Sequence, residues 1–75
     1  MSDPMDNQRR QLFAVGGAYT KLDAACDLLK QALTALQHEV LHGLPIGHTV
    51  QTLDKALTQA KIARDNTWNV VKRMP

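Results

Sequence analysis

Apolar residues recur at alternating spacings of three and four along the first half of this chain, and this periodicity constrains the fold more than any other feature. Spacing of this kind is a heptad pattern, which gathers apolar side chains into one stripe of an α-helix and lets a second helix pack beside it. The pattern predicts a long amphipathic helix over about residues 4–42, with Asp3 and Pro4 as a suitable capped start. The nine positions of the stripe are Leu12, Val15, Tyr19, Leu22, Cys26, Leu29, Leu33, Leu36 and Val40.

A turn and a second helix follow the first stripe. Two glycines and a proline fall within residues 42–47, and these residue types predict a chain reversal over residues 43–48. A second helix is predicted over about residues 49–74, and a connection this short favours an antiparallel neighbour. The sequence therefore predicts one all-α domain, an antiparallel two-helix hairpin closed by a coiled-coil-like heptad seam. The second stripe consists of Val50, Leu53, Leu57, Ala60, Arg64, Thr67, Val71 and Met74.

The small size of the chain predicts that it needs support from outside itself. A chain of 75 residues buries only about 60% of its unfolded surface, so it depends on a disulfide, a metal or an oligomer. Cys26 is the single cysteine, which excludes an internal disulfide and is typical of a reducing compartment. We therefore expect a homodimer that forms a four-helix bundle, with a complex with a larger protein as the main alternative.

Hydropathy argues against a membrane protein, and the net charge is too small to argue for nucleic acid by itself. The chain contains no apolar run approaching the roughly 20 residues that span a bilayer, and no signal-peptide pattern, so we expect a cytoplasmic protein with no membrane association. The net charge of +2 is small, which disfavours nucleic acid as a partner without excluding it. The two halves differ, because residues 45–75 hold five basic and two acidic residues, for +3, whereas residues 1–44 carry −1.

Two features of the first helix bear on how it packs. Gly16 and Gly17 weaken a helix, but the heptad phase continues through them, so we predict one continuous or gently bent helix. Their functional interpretation is close contact with the backbone of a partner. Arg64 occupies a position of the second stripe, and we predict an ion pair with Asp23 or Asp27 that fixes the register of the hairpin.

The open end of the hairpin, opposite the turn, is the predicted binding surface. Folding about the turn sets Tyr19 near Val71, so the first helix extends about ten residues beyond the second and leaves Leu12 little covered. Apolar and basic side chains together suit a protein partner, which predicts a non-enzymatic module acting as an adaptor, small chaperone, assembly factor or inhibitor. Phosphate contacts at the same end are the nucleic-acid alternative. The predicted binding residues are Arg9, Arg10, Phe13, Trp68, Lys72, Arg73 and Met74.

A histidine-rich segment at the turn resembles a zinc-protease motif. Residues 38–48 have the sequence HEVLHGLPIGH, and the first five residues match HExxH, which sets two imidazoles one helical turn apart. With His48 the segment resembles the metzincin family, HExxHxxGxxH. That resemblance implies His38, His42 and His48 as zinc ligands and Glu39 as the general base.

The surroundings of this motif argue against an enzyme. Pro45 stands where the family has a glycine, and the resemblance covers eleven residues only. The 37 residues that precede His38 are predicted to be helical, which leaves no room for a sheet and a substrate cleft. We therefore expect no catalysis and prefer surface histidines, with a three-histidine metal site that pins the turn, and zinc as its ion, as the alternative.

Overall fold

The chain folds into two helices joined by a short turn, in a computed structural model that describes residues 4–74. Helix α1 spans Pro4–Leu41, 38 residues, and helix α2 spans Gly47–Arg73, 27 residues. They pack against each other as a hairpin, in a rod of 62 × 16 × 14 Å, and residues 4–74 contain no β-strand. The predicted all-helical fold is confirmed, whereas Asp3, the predicted cap of α1, lies outside the described residues. Neither helix is both long enough and apolar enough to cross a membrane.

The double glycine does not break α1. The helix runs without interruption through Gly16 and Gly17, as the continuous heptad phase predicted. The Thr20 hydroxyl donates a hydrogen bond of 3.1 Å to the Gly16 carbonyl, one turn back along the same helix. Glycine inside a helix still costs about 0.5–1 kcal/mol relative to alanine at each position. α1 therefore stays one continuous helix although both glycines weaken it.

The turn begins with a Schellman motif centred on Gly43. Gly43 has φ of +92°, a left-handed conformation that glycine adopts without a side-chain clash. The Gly43 amide donates to the Val40 carbonyl at 3.0 Å, and the Leu44 amide donates to the Glu39 carbonyl at 3.1 Å. These two bonds satisfy carbonyls that the end of α1 would leave unpaired. α2 then begins two residues earlier than predicted, and its first turn closes with a 3.0 Å bond from the Val50 amide to the Ile46 carbonyl.

The core lies between the two helices and is small. Three residues are buried among those whose burial is described, and they are Cys26, Leu33 and Leu57, with exposed fractions of 3%, 7% and 5%. All of them occupy predicted stripe positions, as do the half-buried residues packed against them: Leu29, Val50, Leu53 and Ala60. The predicted seam is confirmed here, and Cys26 is a buried free thiol that packs as a small apolar residue.

Two contacts fix how α2 lies beside α1 near the open end. The rings of Tyr19 and Trp68 lie with centroids 5.1 Å apart, and the Arg64 Nη1 to Asp23 Oδ1 distance is 3.4 Å. Trp68 is not one of the predicted stripe positions, and it contacts Tyr19 because a long aromatic side chain reaches across the seam from a flanking position. With this register the first ten residues of α1, about 15 Å of helix, extend past the end of α2.

Candidate functional site

Many large apolar side chains lie on the outside of this rod. Against three buried core residues, nine large hydrophobic residues within residues 5–74 are exposed. Single exposed leucines are ordinary, but a cluster of apolar side chains marks an interaction surface. The exposed residues are Met5, Leu12, Phe13, Leu28, Leu41, Leu44, Ile62, Trp68 and Val70.

Some of these residues lie toward the open end. Phe13 is 84% exposed, and Trp68 keeps 43% of its surface exposed despite its contact with Tyr19. Arg9, Arg10, Lys72 and Arg73 are exposed, and Met74 is half-buried. The open end therefore joins exposed aromatic surface to solvated basic side chains, which is the combination predicted for a binding surface.

The register sets how far apart the basic residues of the two helices lie. Trp68 is opposite Tyr19, so Arg73, five residues farther along α2, lies beside α1 near Ala14. Arg9 lies five residues beyond Ala14, which is about 8 Å along the axis of the rod. The two basic pairs, Arg9–Arg10 and Lys72–Arg73, are thus close along the axis of the rod. That their charges form one basic patch stays a prediction.

An apolar groove runs along α1 at this end. It has a volume of about 450 Å³ and is lined by Leu12, Phe13, Gly16, Gly17 and Thr20. A Cβ atom built on Gly16 or Gly17 would have no atom within 4 Å. No contact within the described hairpin therefore requires glycine at these two positions, and the groove floor is bare backbone.

The charged position in the second stripe forms the predicted cross-helix pair. Arg64 contacts Asp23 on α1 at 3.4 Å and the neighbouring Asp65 at 3.2 Å through Nε. The hydrogen bond to Asp65 raises the pKa of Arg64, so its guanidinium stays charged. Because the Asp23 side chain is 51% exposed, the pair helps to fix register more than it adds stability. The next polar residue of the stripe, Thr67, donates its hydroxyl to the Ala63 carbonyl at 2.8 Å.

The turn histidines divide into a pair and a single residue. The rings of His38 and His42 meet edge to face with centroids 4.5 Å apart, as expected for residues one helical turn apart. His48 instead lines a second apolar groove of about 400 Å³ between the helices, beside Leu36 and Leu53. Within residues 4–74, no group of three or more histidine, cysteine or acidic side chains is arranged to hold a metal ion. Zinc binding by all three histidines stays a prediction, as does a catalytic role for Glu39.

Two exposed residues at the turn were not among the predicted binding residues. Leu41 is 84% exposed and Leu44 is 48% exposed, next to the Schellman motif that ends α1. Leu41 directly follows Val40, the last position of the first stripe, so its side chain points about 100° away from the seam. That offset was visible in the sequence and would have identified Leu41 as a surface residue.

Comparison with known proteins assigns no family or activity. Neither the protein-family models, nor the curated proteins, nor the solved structures give a match to this chain.

Proposed function

We propose that this protein is a non-enzymatic interaction module that binds a protein partner through the apolar and basic surface of its open end. Adaptor, small chaperone, assembly factor and inhibitor are all roles of this kind. The cytoplasm is the proposed compartment, because the single cysteine is a free thiol.

One observation carries the proposal: more large apolar side chains of this hairpin are exposed than are fully buried. Three residues are buried and nine large hydrophobic ones are exposed within residues 5–74. A two-helix rod can bury only the residues between its helices, so the remaining apolar surface gains stability only from another surface. Phe13 is the strongest single candidate, since an 84% exposed phenylalanine beside an apolar groove resembles the aromatic anchors that dominate interfaces.

Truncation of the aromatic residues tests the proposal. The wild-type chain is expected to capture a partner from native extract. Phe13→Ala and Trp68→Ala are expected to weaken that capture at least about fivefold, the loss that marks an interface anchor. Leu41→Ala is the matched control, because Leu41 is equally exposed but lies at the other end of the rod. Capture that is unchanged in both aromatic variants would contradict the assignment of the open end.

A salt series separates a protein partner from nucleic acid. Neutralised phosphates release counterions, so a nucleic-acid complex loses affinity steeply between about 50 and 200 mM salt. An interface centred on Phe13 and Trp68 is expected to change little over the same range. A steep loss together with unchanged Phe13→Ala binding would favour the basic residues as a phosphate site.

We also propose that the chain forms a homodimer in which two hairpins make a four-helix bundle. The support is the rod itself, whose cross-section of 16 × 14 Å is too thin to enclose more than one row of core residues. Side-by-side packing of two hairpins is the common way for such helices to bury their remaining apolar faces.

A divalent metal site at the turn is the second candidate function, favoured by the contact between His38 and His42. Two imidazoles one turn apart can supply two zinc ligands, and His48 would have to turn from its groove to supply a third. Metal analysis of the chain purified without a histidine tag tests this, with His38→Ala as the control variant. Stoichiometric zinc in the wild type that is lost in the variant would support the site. Protein that contains no zinc, and whose melting temperature does not change when chelator is added, would rule the site out.

A further inference from the structure

The glycine-floored groove on α1 has no role within the hairpin that contains it. Leu12, Phe13 and Thr20 form its sides, and the space above Gly16 and Gly17 is open. Glycine weakens the helix at both positions without easing any contact made inside the described chain. A bare backbone floor beside an exposed phenylalanine is the surface that admits a second helix at short range.

The groove faces a direction that α2 leaves free. At 100° per residue, the middle of the groove points about 120° away from the mean direction of the seam residues Tyr19, Leu22 and Cys26. Leu12, a stripe residue, forms the side of the groove nearest the seam. A further helix in the groove would therefore lie beside α1 without displacing α2. α1 of a second copy suits this groove, because it carries the same exposed phenylalanine and the same bare glycine backbone.

Charges along this face select the orientation of that second copy. Arg9 lies seven residues before Gly16 and Asp23 lies seven residues after it, on nearly the same side of the helix. An antiparallel copy related by a two-fold axis at Gly16 puts each Arg9 opposite the other Asp23, whose side chain is 51% exposed. A parallel copy would instead set Arg9 against Arg9 and Asp23 against Asp23.

We propose that a second copy of this chain docks antiparallel in the groove, with the two-fold axis at Gly16. Phe13 of each copy then packs on the Gly17–Thr20 turn of the other, and the two α1 helices overlap over about residues 4–28. Each extension of α1 covers the open end of the other hairpin, so four helices lie together only near the axis. The proposal rests on the homodimer of the proposed function and makes the second copy the partner that covers Phe13. It overlaps the two hairpins at their open ends, so the four-helix region is limited to the neighbourhood of the axis.

This arrangement also determines what surface the dimer offers to a further protein. Both α2 helices end near the axis, because Arg73 lies beside α1 close to Ala14. Lys72 and Arg73 of the two copies are thereby gathered at the middle of the dimer, on one side. That surface suits an acidic protein partner.

Cysteine cross-linking tests the register, and native Cys26 does not interfere because it is buried. Gly16→Cys is expected to give a disulfide-linked dimer under mild oxidation, since the two sulfurs meet at the axis. Leu28→Cys is the matched control: Leu28 is 66% exposed on the same helix, but its two copies would lie about 36 Å apart. Wild-type protein should stay uncross-linked.

A second pair of variants keeps the test decisive if the side chain added in Gly16→Cys itself weakens the dimer. Arg9→Cys mixed with Asp23→Cys should cross-link between the two chains, whereas Arg9→Cys alone should not. Cross-linking of Arg9→Cys alone would mean a parallel dimer and would overturn the proposal. If the protein has the mass of a dimer but cross-links neither at Gly16 nor between Arg9 and Asp23, the proposed register would be wrong while the dimer would stand. A monomer at every concentration would overturn both, and partner capture through Phe13 would then be judged separately.

Discussion

The two halves of the rod differ in how completely the two helices bury their apolar side chains. Between the turn and the middle, Leu33 and Leu57 are buried against each other's helix, and the seam residues around them are half-buried. At the open end, Phe13 is 84% exposed and a bare groove crosses α1. Leu12 belongs to the same heptad stripe as Leu33 but is 38% exposed at the open end, so the difference arises from the neighbours that each region has. The closed half holds the hairpin together, and the open half is available to another chain.

The largest expected effect comes from the closed half. Leu57→Ala should lower the free energy of unfolding by about 2–5 kcal/mol, because it removes a buried side chain and leaves a cavity. Leu41→Ala, at an 84% exposed position, should change it by less than about 0.5 kcal/mol. Urea unfolding followed by circular dichroism measures both. Equal effects of the two substitutions would mean that the buried cluster does not stabilise the hairpin.

The aromatic contact at the boundary between the halves should have an intermediate effect. Tyr19 and Trp68 lie 5.1 Å apart between centroids, and such a pair contributes about 0.5–1.5 kcal/mol beyond its buried area. A double-mutant cycle with Tyr19→Leu and Trp68→Leu measures that coupling. A coupling energy indistinguishable from zero would mean that the contact between the two rings does not stabilise the hairpin.

Substitution of the first glycine of the pair should stabilise the monomer and weaken the dimer. Gly16→Ala should raise monomer stability by about 0.5–1 kcal/mol through helix propensity, since no atom lies within 4 Å of the added carbon. The same methyl group should weaken the proposed self-association. Ala35→Gly, on an exposed part of α1, calibrates the propensity effect. Unfolding measured at low and at high protein concentration separates the two contributions, and stabilisation at both would contradict the role given to the groove.

The ion pair should have the smallest effect. Asp23→Asn removes the carboxylate that faces Arg64 at 3.4 Å, and the shift of the urea midpoint should be smaller than for Leu57→Ala or Gly16→Ala. Asp54→Asn, at an exposed position on α2, is the matched control. The difference between the two variants should shrink at high salt, which screens exposed charges. A shift as large as that of Leu57→Ala would mean that Arg64 contributes far more than register.

Sequence periodicity was sufficient for the hairpin and insufficient for its surface. The alternation of three and four placed Cys26, Leu33 and Leu57 in the seam, because a helix has a fixed rotation per residue. The same rule put Trp68 off the seam, and it could not anticipate that a long ring would reach Tyr19 from there. The groove escaped prediction for a related reason, since open space beside Gly16 depends on where α2 lies and not on α1 alone. The chain that fills this space belongs to another molecule. The apolar pattern of a single chain therefore indicates it only indirectly.

Molar mass by light scattering across a concentration series tests the central claim most directly. The account predicts twice the 8.3 kDa chain mass for the wild type at micromolar concentration. Gly16→Leu, which fills the groove floor, should move the monomer–dimer midpoint to roughly 5- to 150-fold higher concentration, as overpacking by about 1–3 kcal/mol implies. A wild-type chain that stays at 8.3 kDa throughout, or a Gly16→Leu chain that dimerises as tightly as the wild type, would contradict it.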